Sequence, residues 1–225
     1  MPITTDNQGR DTSDLQAAVG RLDGKVELLM RGTGWQPDIL LTVVNGTQVV
    51  LKDFSQRGLL ARTLGGILVR REDSAYRRLT GIPGLPRCFG RVGNCGLLIE
   101  YIEGVSVSDL VKDQSLPSAF LSQLYDIVDM IHAAGVAHGD LKRRKNLLVT
   151  HEDEVFLIDF AASWQRGRCW SILRNWFFRQ VCQVDRNAVA KLKYCHAPDL
   201  LTSEEEQALQ YPTRLERCVR RLFGR

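Results

Sequence analysis

The stretch His138-Gly139-Asp140-Leu141-Lys142-Arg143-Arg144-Lys145-Asn146, followed by Val155-Phe156-Leu157-Ile158-Asp159-Phe160, sets a carboxylate, an amide and a second carboxylate at short spacing. Phosphoryl transfer needs little covalent help from a protein, but it does need an acid group beside the attacking hydroxyl and oxygen ligands for magnesium. Asp140 is the right type for the first task. Asn146 and Asp159 suit the second, because hard cations take oxygen donors and magnesium keeps only one or two protein groups beside phosphates and water. Ile-Asp-Phe alone is an ordinary strand end, and it gains weight only from the His-Gly-Asp and asparagine before it.

The surrounding pattern places these residues. Leu147 to Thr150 and Val155 to Ile158 read as strands flanking His151-Glu152-Asp153-Glu154, so Asn146 and Asp159 fall at the ends of a hairpin. Upstream, Ser118 to Ala134 is predicted to be a helix. Leu121, Leu124, Ile127, Val128 and Ile131 fall on one face, Pro117 favours its first turn, and Gly135 ends it. The N-terminal half reads as strands at 25–30, 38–44 and 48–52, with Asn45-Gly46 as a two-residue turn between the last two. A helix is expected from Gln56 to Leu79, its apolar face built from Leu59, Leu60, Leu64, Ile67, Leu68, Ala75 and Leu79, with a break or bend at Gly65-Gly66. Further short strands are expected near Cys88–Val92 and Gly96–Tyr101. Five strands and one helix make a small lobe over 25–103, with Glu103-Gly104 as the hinge. A mainly helical lobe over 104–225 follows it, and 1–24 precedes it as a flexible tail.

Composition bounds the class. The chain has 225 residues, 44% hydrophobic and 25% charged, as in an ordinary soluble globular protein. Its first residues lack the apolar core of a secretory signal, and no window approaches a membrane span. Six cysteines without a C-x-x-C pair are expected to be reduced thiols of a cytoplasmic protein. The net charge of +4 is unevenly placed: no acid stands between Arg166 and Arg179, and residues 214–225 hold five arginines against one glutamate. Trp164, Trp170, Trp176, Phe177 and Phe178 are interleaved with Arg166, Arg168, Arg174 and Arg179. This mixture suits either a core-facing helix whose arginines reach outward, the favoured reading, or a peripheral surface at the inner face of a membrane. Leu215, Cys218, Val219 and Leu222 repeat the ambiguity as a basic amphipathic helix, and no nucleic-acid motif accompanies the charge.

Taken in order, these motifs resemble the protein-kinase-like superfamily, in the small atypical branch that holds RIO kinases and bacterial lipopolysaccharide-core sugar kinases. The resemblance covers roughly residues 25 to 162. It implies an α+β, two-lobed fold with a five-stranded N-lobe and a truncated helical C-lobe, and ATP and Mg2+ bound between the lobes. It also implies transfer of the γ-phosphate to a hydroxyl of protein serine or threonine, or of a lipopolysaccharide-core sugar. By resemblance Asp140 orients the acceptor proton, Lys142 neutralises the transferred phosphate, and Asn146 and Asp159 hold the metal. Lys52 takes the α- and β-phosphates, with Glu72 as its partner and Asp73 as the competing choice; Gly32, Gly34, Glu100 and Ile102 complete nucleotide binding. His138 braces the loop. Five residues separate Asp140 from Asn146 where the usual loop has four, so either the loop bulges or the ligand assignment fails. Gly32-Thr33-Gly34 is thinner than a full glycine-rich loop. Gly139 replaces the arginine that reads a phosphorylated activation segment, Ala161 replaces the glycine after Asp159-Phe160, and no Ala-Pro-Glu-like end follows. An ATPase switch and a nucleotide-binding pseudokinase scaffold are the alternatives.

Overall fold

The computed structural model describes residues 26–44, 46–111 and 116–210. The N-terminal tail, Asn45 of the expected turn and the basic segment from 211 onward lie outside them. The chain divides into two compact units, one formed by residues up to Gly81 with Pro86–Glu103, the other by Ile82–Leu85 with residues from Gly104.

The first unit is a five-stranded antiparallel sheet of β1 (Glu27–Met30), β2 (Asp38–Val44), β3 (Thr47–Asp53), β4 (Cys88–Val92) and β5 (Gly96–Glu100), in the order β1-β2-β3-β5-β4, with helix α1 (Leu59–Arg78) packed on β4 and β5. Strand β3 sits at the centre, where Lys52 pairs with Ile39 on one side and Leu97 on the other. Side chains alternate along a strand. Val49 and Leu51 therefore join Val44, Phe89 and Leu98 in a buried cluster on one face, and Lys52 points to the other.

Helix α1 corrects two expectations. It runs unbroken through Gly65-Gly66, and Leu59, Leu60, Leu64 and Ile67 are exposed rather than core-facing. The buried stripe is instead Gly65, Val69, Glu72 and Tyr76, with Asp73 and Ala75 beside it. The glycines serve close approach. A Cβ on Gly65 would stand 2.4 Å from the Phe54 ring, and one on Gly66 would stand 2.9 Å from the Asn94 carbonyl oxygen. Periodicity locates the faces of a helix but not the face that is covered, and here the smallest residues mark the contact.

The second unit contains β6 (Val105–Ser106), α2 (Val107–Leu110), α3 (Ser118–Ala133), β7 (Val136–Ala137), β8 (Leu147–Val149), β9 (Val155–Leu157), β10 (Trp164–Gln165), α4 (Ile172–His196) and α5 (Ser203–Gln210). Strands β6, β8 and β9 form one small antiparallel sheet, and β7 pairs with β10. Helix α3 buries the five expected apolar residues together with Phe120 and His132, and packs on α4. Gly135, at φ +81°, turns the chain out of α3 into β7. Of the aromatic residues interleaved with arginine, Phe178 is buried beside Ala137 and Cys182 and Trp164 packs partly against them, whereas Trp170, Trp176 and Phe177 are exposed. The core reading holds for the first two only.

Gly65 gives a test of sign. Helix propensity alone favours alanine over glycine by about 1 kcal/mol, whereas overpacking costs roughly 1–3 kcal/mol. Gly65→Ala should lower the urea midpoint in the wild-type background and raise it once Phe54→Ala has opened the space. A stabilised single variant would contradict the close contact.

Candidate active site

In the first unit, the Lys52 ammonium donates to a Glu72 carboxylate oxygen at 2.7 Å, and both side chains are largely buried. Strand alternation aims Lys52 at α1, and the stripe of α1 that begins at Gly65 carries Glu72 to meet it. Asp73 is not the partner. One residue on, it turns to Arg77 at 3.1 Å and Arg91 at 3.5 Å. A buried pair of this kind fixes the position of a cation that would otherwise be a flexible strand-end lysine, and removing one member costs more than the pair gains.

The β1–β2 loop is tighter than a phosphate-covering loop. Gly32 donates its N–H to Asp38 Oδ1 at 2.8 Å, and the Asp38 carboxylate is also paired with the Arg57 guanidinium. A Cβ on Gly32 would stand 2.3 Å from the Gln36 and Pro37 carbonyl oxygens, so this glycine is required by the turn itself. Gly34, at φ +57°, is exposed in open space. Glu100 accepts the Arg87 N–H through its carboxylate at 3.0 Å, which closes the β4–β5 end of the sheet, and Ile102 follows it half-buried.

In the second unit, the hairpin register brings the other residues together. Leu147 pairs with Leu157, and the Ile158 N–H donates to the Asn146 carbonyl at 3.0 Å, so Asn146 and Asp159 emerge from adjacent strand ends. The Asn146 amide donates through Nδ2 to the Asp140 carbonyl at 3.1 Å, so the atom it could offer a cation is its oxygen. The fifth intervening residue is absorbed locally. The Arg143 N–H donates to the Asp140 carbonyl at 3.2 Å, the Asn146 N–H to the Arg143 carbonyl at 2.8 Å, and Arg144–Asn146 closes as a 3-10 turn. The loop bulges, and Asn146 still returns to Asp140.

Asp159 takes a left-handed backbone, φ +70° and ψ +73°, a conformation disfavoured for residues with a Cβ and concentrated at functional sites. His138 is wholly buried. Its Nε2 donates to the Ile158 carbonyl at 3.0 Å, its Nδ1 accepts the Asp140 N–H at 3.3 Å, and its ring lies 4.7 Å from that of Phe160. It thus ties the residue before Asp159 to Asp140. Lys142 is exposed on the rim. Burial pushes the Asp140 carboxyl above the ordinary carboxylate range, with Arg143, 3.2 Å away, opposing and Asp159 adding to the rise.

Two residues escape the sequence reading. Arg143 touches the Asp140 carboxylate, a contact that the basic run conceals. The other is Asp185 of α4, fully buried. Its carboxylate accepts the His138 N–H at 2.7 Å, the Gly139 N–H at 2.9 Å and the His132 Nε2–H at 3.1 Å. The available signal was a lone acid on the apolar face of a helix, three residues after Cys182 and three before Ala188. Gly139 itself, at φ +81°, leaves room for the Ala162 carbonyl oxygen, which a Cβ would meet at 2.7 Å.

Among the described residues no three His, Cys, Asp or Glu side chains group around a metal. The donor set of Asn146 and Asp159 fits magnesium instead, which completes its shell with phosphate and water. Asp185→Ala leaves three buried donors without an acceptor and should cost about 3 kcal/mol or more in denaturant unfolding. Asp185→Asn, which keeps one acceptor oxygen, should cost less. Equal stability of Asp185→Ala and wild type would remove Asp185 from its role as the loop anchor.

No protein-family model matches the chain. A curated relative, the EKC/KEOPS complex subunit BUD32 of Encephalitozoon cuniculi, is 29% identical over 97 residues, 42% of this chain and 47% of the relative. The chain thus spans about half the length of that relative. The crystal structure of the Rio2 kinase-ADP/Mg2+-phosphoaspartate complex from Chaetomium thermophilum superposes with a TM-score of 0.56 at 17% identity, over 84% of this chain and 61% of that one. A second Rio2 kinase structure from the same organism gives 0.51 at 17% identity, over 76% and 59%. With its five-stranded antiparallel sheet and mainly helical second unit, the chain has the protein-kinase-like fold in its atypical, RIO-like form.

Proposed function

We propose that the chain is an ATP- and magnesium-dependent phosphotransferase that moves the γ-phosphate of ATP to a hydroxyl. The observation that carries this reading is the hairpin register that sets Asn146 beside Asp159 while the Asn146 amide holds the Asp140 carbonyl. Three oxygen-bearing groups with distinct tasks meet where the Asp140–Asn146 loop and the end of β9 come together. Lys52, fixed by Glu72, supplies the cation for the nucleotide phosphates. Asn146 and Asp159 hold magnesium, Asp140 orients the hydroxyl proton, and Lys142, exposed beside it, meets the transferred phosphate. Because Gly32 spends its N–H on Asp38, backbone cover of the phosphates falls to Gly34 and the loop around it. Glu100, the last residue of β5, and Ile102 complete nucleotide binding.

The acceptor is a protein serine or threonine, or a lipopolysaccharide-core sugar. Between Asp159 and α4 the described chain has only a 3-10 turn, the two-residue β10 and a short loop, so little backbone is available to present a peptide. This favours the sugar. Five free cysteines among the described residues support the cytoplasm as the compartment. A second reading, an ATPase switch, draws on the phosphoaspartate of the Rio2 kinase complex. In that route a carboxylate oxygen would attack the γ-phosphorus, ADP would leave, and water would then hydrolyse the acyl phosphate.

Incubation with γ-labelled ATP and magnesium, against cell protein, extracted glycolipid and no acceptor, separates these. Label on glycolipid alone excludes the protein acceptor. Inorganic phosphate released without acceptor, through a hydroxylamine-sensitive adduct, marks the ATPase. Asp140→Asn should lower transfer by about 100-fold or more with nucleotide binding retained, and EDTA or Asp159→Ala should abolish the magnesium-dependent rate. Nucleotide binding with no turnover under any of these conditions would sink the phosphotransferase reading and leave a scaffold.

A further inference from the structure

The first two turns of α4 are apolar on opposite sides. Phe178, Cys182 and Asp185 lie on the face packed into the second unit. Ile172, Leu173, Trp176 and Phe177, spaced i, i+1, i+4 and i+5, fall together on the other. Their exposures are 77%, 76%, 44% and 38%, and Trp170, just before the helix, is 69% exposed. A helix apolar all round is expected to be buried all round, yet this side is covered only in part: the Trp164 ring lies 5.5 Å from that of Phe177, and Ile172 and Leu173 stay open.

The platform is held in this orientation. The Trp164 indole donates to the Arg174 carbonyl at 3.1 Å, and Arg174 Nε donates to the Gln165 carbonyl at 3.0 Å. The Gly167 N–H donates to Asn175 Oδ1 at 2.9 Å, and Asn175 Nδ2 donates to the Arg168 carbonyl at 3.0 Å. The Trp176 and Phe177 rings meet edge to face at 4.9 Å, and Arg168 lies over Trp170 at 5.3 Å. Hydrogen bonds on the inner side fix a surface whose outer side is hydrocarbon.

Its charge decides the occupant. Between Asp159 and Asp185 there is no carboxylate, and the four arginines of that stretch, 166, 168, 174 and 179, are all exposed. Arg174 and Arg179 border the apolar arc on its two sides at helical spacing. A second copy would bring the same cations against these. The chain's own segment 214–225, with five arginines and one glutamate, would do the same. A nucleic acid would meet the arginines but would leave Ile172 and Leu173 in water. We propose that this face, Trp170, Ile172, Leu173, Trp176 and Phe177 with their bordering arginines, docks on the headgroup region of an anionic lipid bilayer. Tryptophan and arginine sit at that depth, and the aliphatic pair enters the acyl boundary. The attachment is peripheral, since no described helix is long and apolar enough to cross a membrane. It stands whether or not the chain transfers phosphate.

Flotation of the full chain with vesicles tests it. Binding to phosphatidylcholine vesicles containing phosphatidylglycerol is expected, with weak binding to phosphatidylcholine alone and partial loss as salt is raised. Ile172→Asn with Leu173→Asn, and separately Arg168→Glu with Arg179→Glu, should each weaken binding about tenfold. All four side chains are exposed, so the thermal unfolding midpoint should stay unchanged. Binding that ignores phosphatidylglycerol, binding that survives both double variants, or release from vesicles by an oligonucleotide that engages the same arginines would each overturn the proposal.

Discussion

The carboxylate of Asp185 is the point on which the second unit turns. A buried acid costs several kcal/mol in desolvation unless donors meet it, and here two consecutive backbone N–H groups and an imidazole do so. The constraint runs both ways. The loop cannot leave without stranding a charge in the core, and the helix cannot rotate without stranding two amides. His138 extends the tie through Ile158 to the residue before Asp159, so one carboxylate in α4 fixes both the segment that carries Asp140 and the strand end that carries Asp159. Preorganisation of this kind is what phosphoryl transfer asks of a protein, since positioning and electrostatics supply nearly all of the catalysis.

The inserted residue shows how local such an arrangement remains. One extra position in a β-ladder would reverse every side chain beyond it. Placed between Asp140 and the first residue of β8, it is instead taken up by a turn and a 3-10 turn, and the Leu147–Leu157 register is untouched. The bulge carries Arg143 onto the Asp140 carboxylate. At 70% exposure that guanidinium is loosely held, so its pairing is worth little in stability. Its effect lies in the field at the loop, where it opposes the rise that burial imposes on Asp140.

Much of this was legible in the residues. The hairpin of β8 and β9 and the apolar face of α3 follow from short-range pattern, because each depends on period and neighbours alone. The pairing of Lys52 with Glu72, 20 residues on, rests instead on the family resemblance, with Asp73 left as a competitor. What was not legible depends on coverage. Leu59, Leu60, Leu64 and Ile67 of α1 have helical spacing and stay exposed, while Gly65 makes the contact because Phe54 lies there. The core assignment of the aromatic segment failed for Trp170, Trp176 and Phe177 for the same reason: α4 has one covered side and the sequence marks two. Asp185 was hidden differently. Its partners are backbone amides some 46 residues earlier in the chain, and a backbone amide has no signature in a sequence.

Gly139 connects these points to regulation. In kinases switched by phosphorylation, an arginine at this position waits for a phosphate to order the segment that follows the metal ligands. Here that place is closed, because the Ala162 carbonyl comes within 2.7 Å of where a Cβ would stand. The segment is ordered by other means. Trp164 pairs with Ala137, Gln165 with Val136, and the Arg166 N–H donates to the Gly135 carbonyl at 2.8 Å, so backbone bonds do what a phosphate and an arginine would otherwise do. A ladder between β7 and β10 has no charge to gain or lose. The backbone freed by the shortened segment runs directly into the exposed aromatic and basic start of α4. On the proposed function, selectivity would rest on which hydroxyl is presented, because backbone bonds form the segment without a modification.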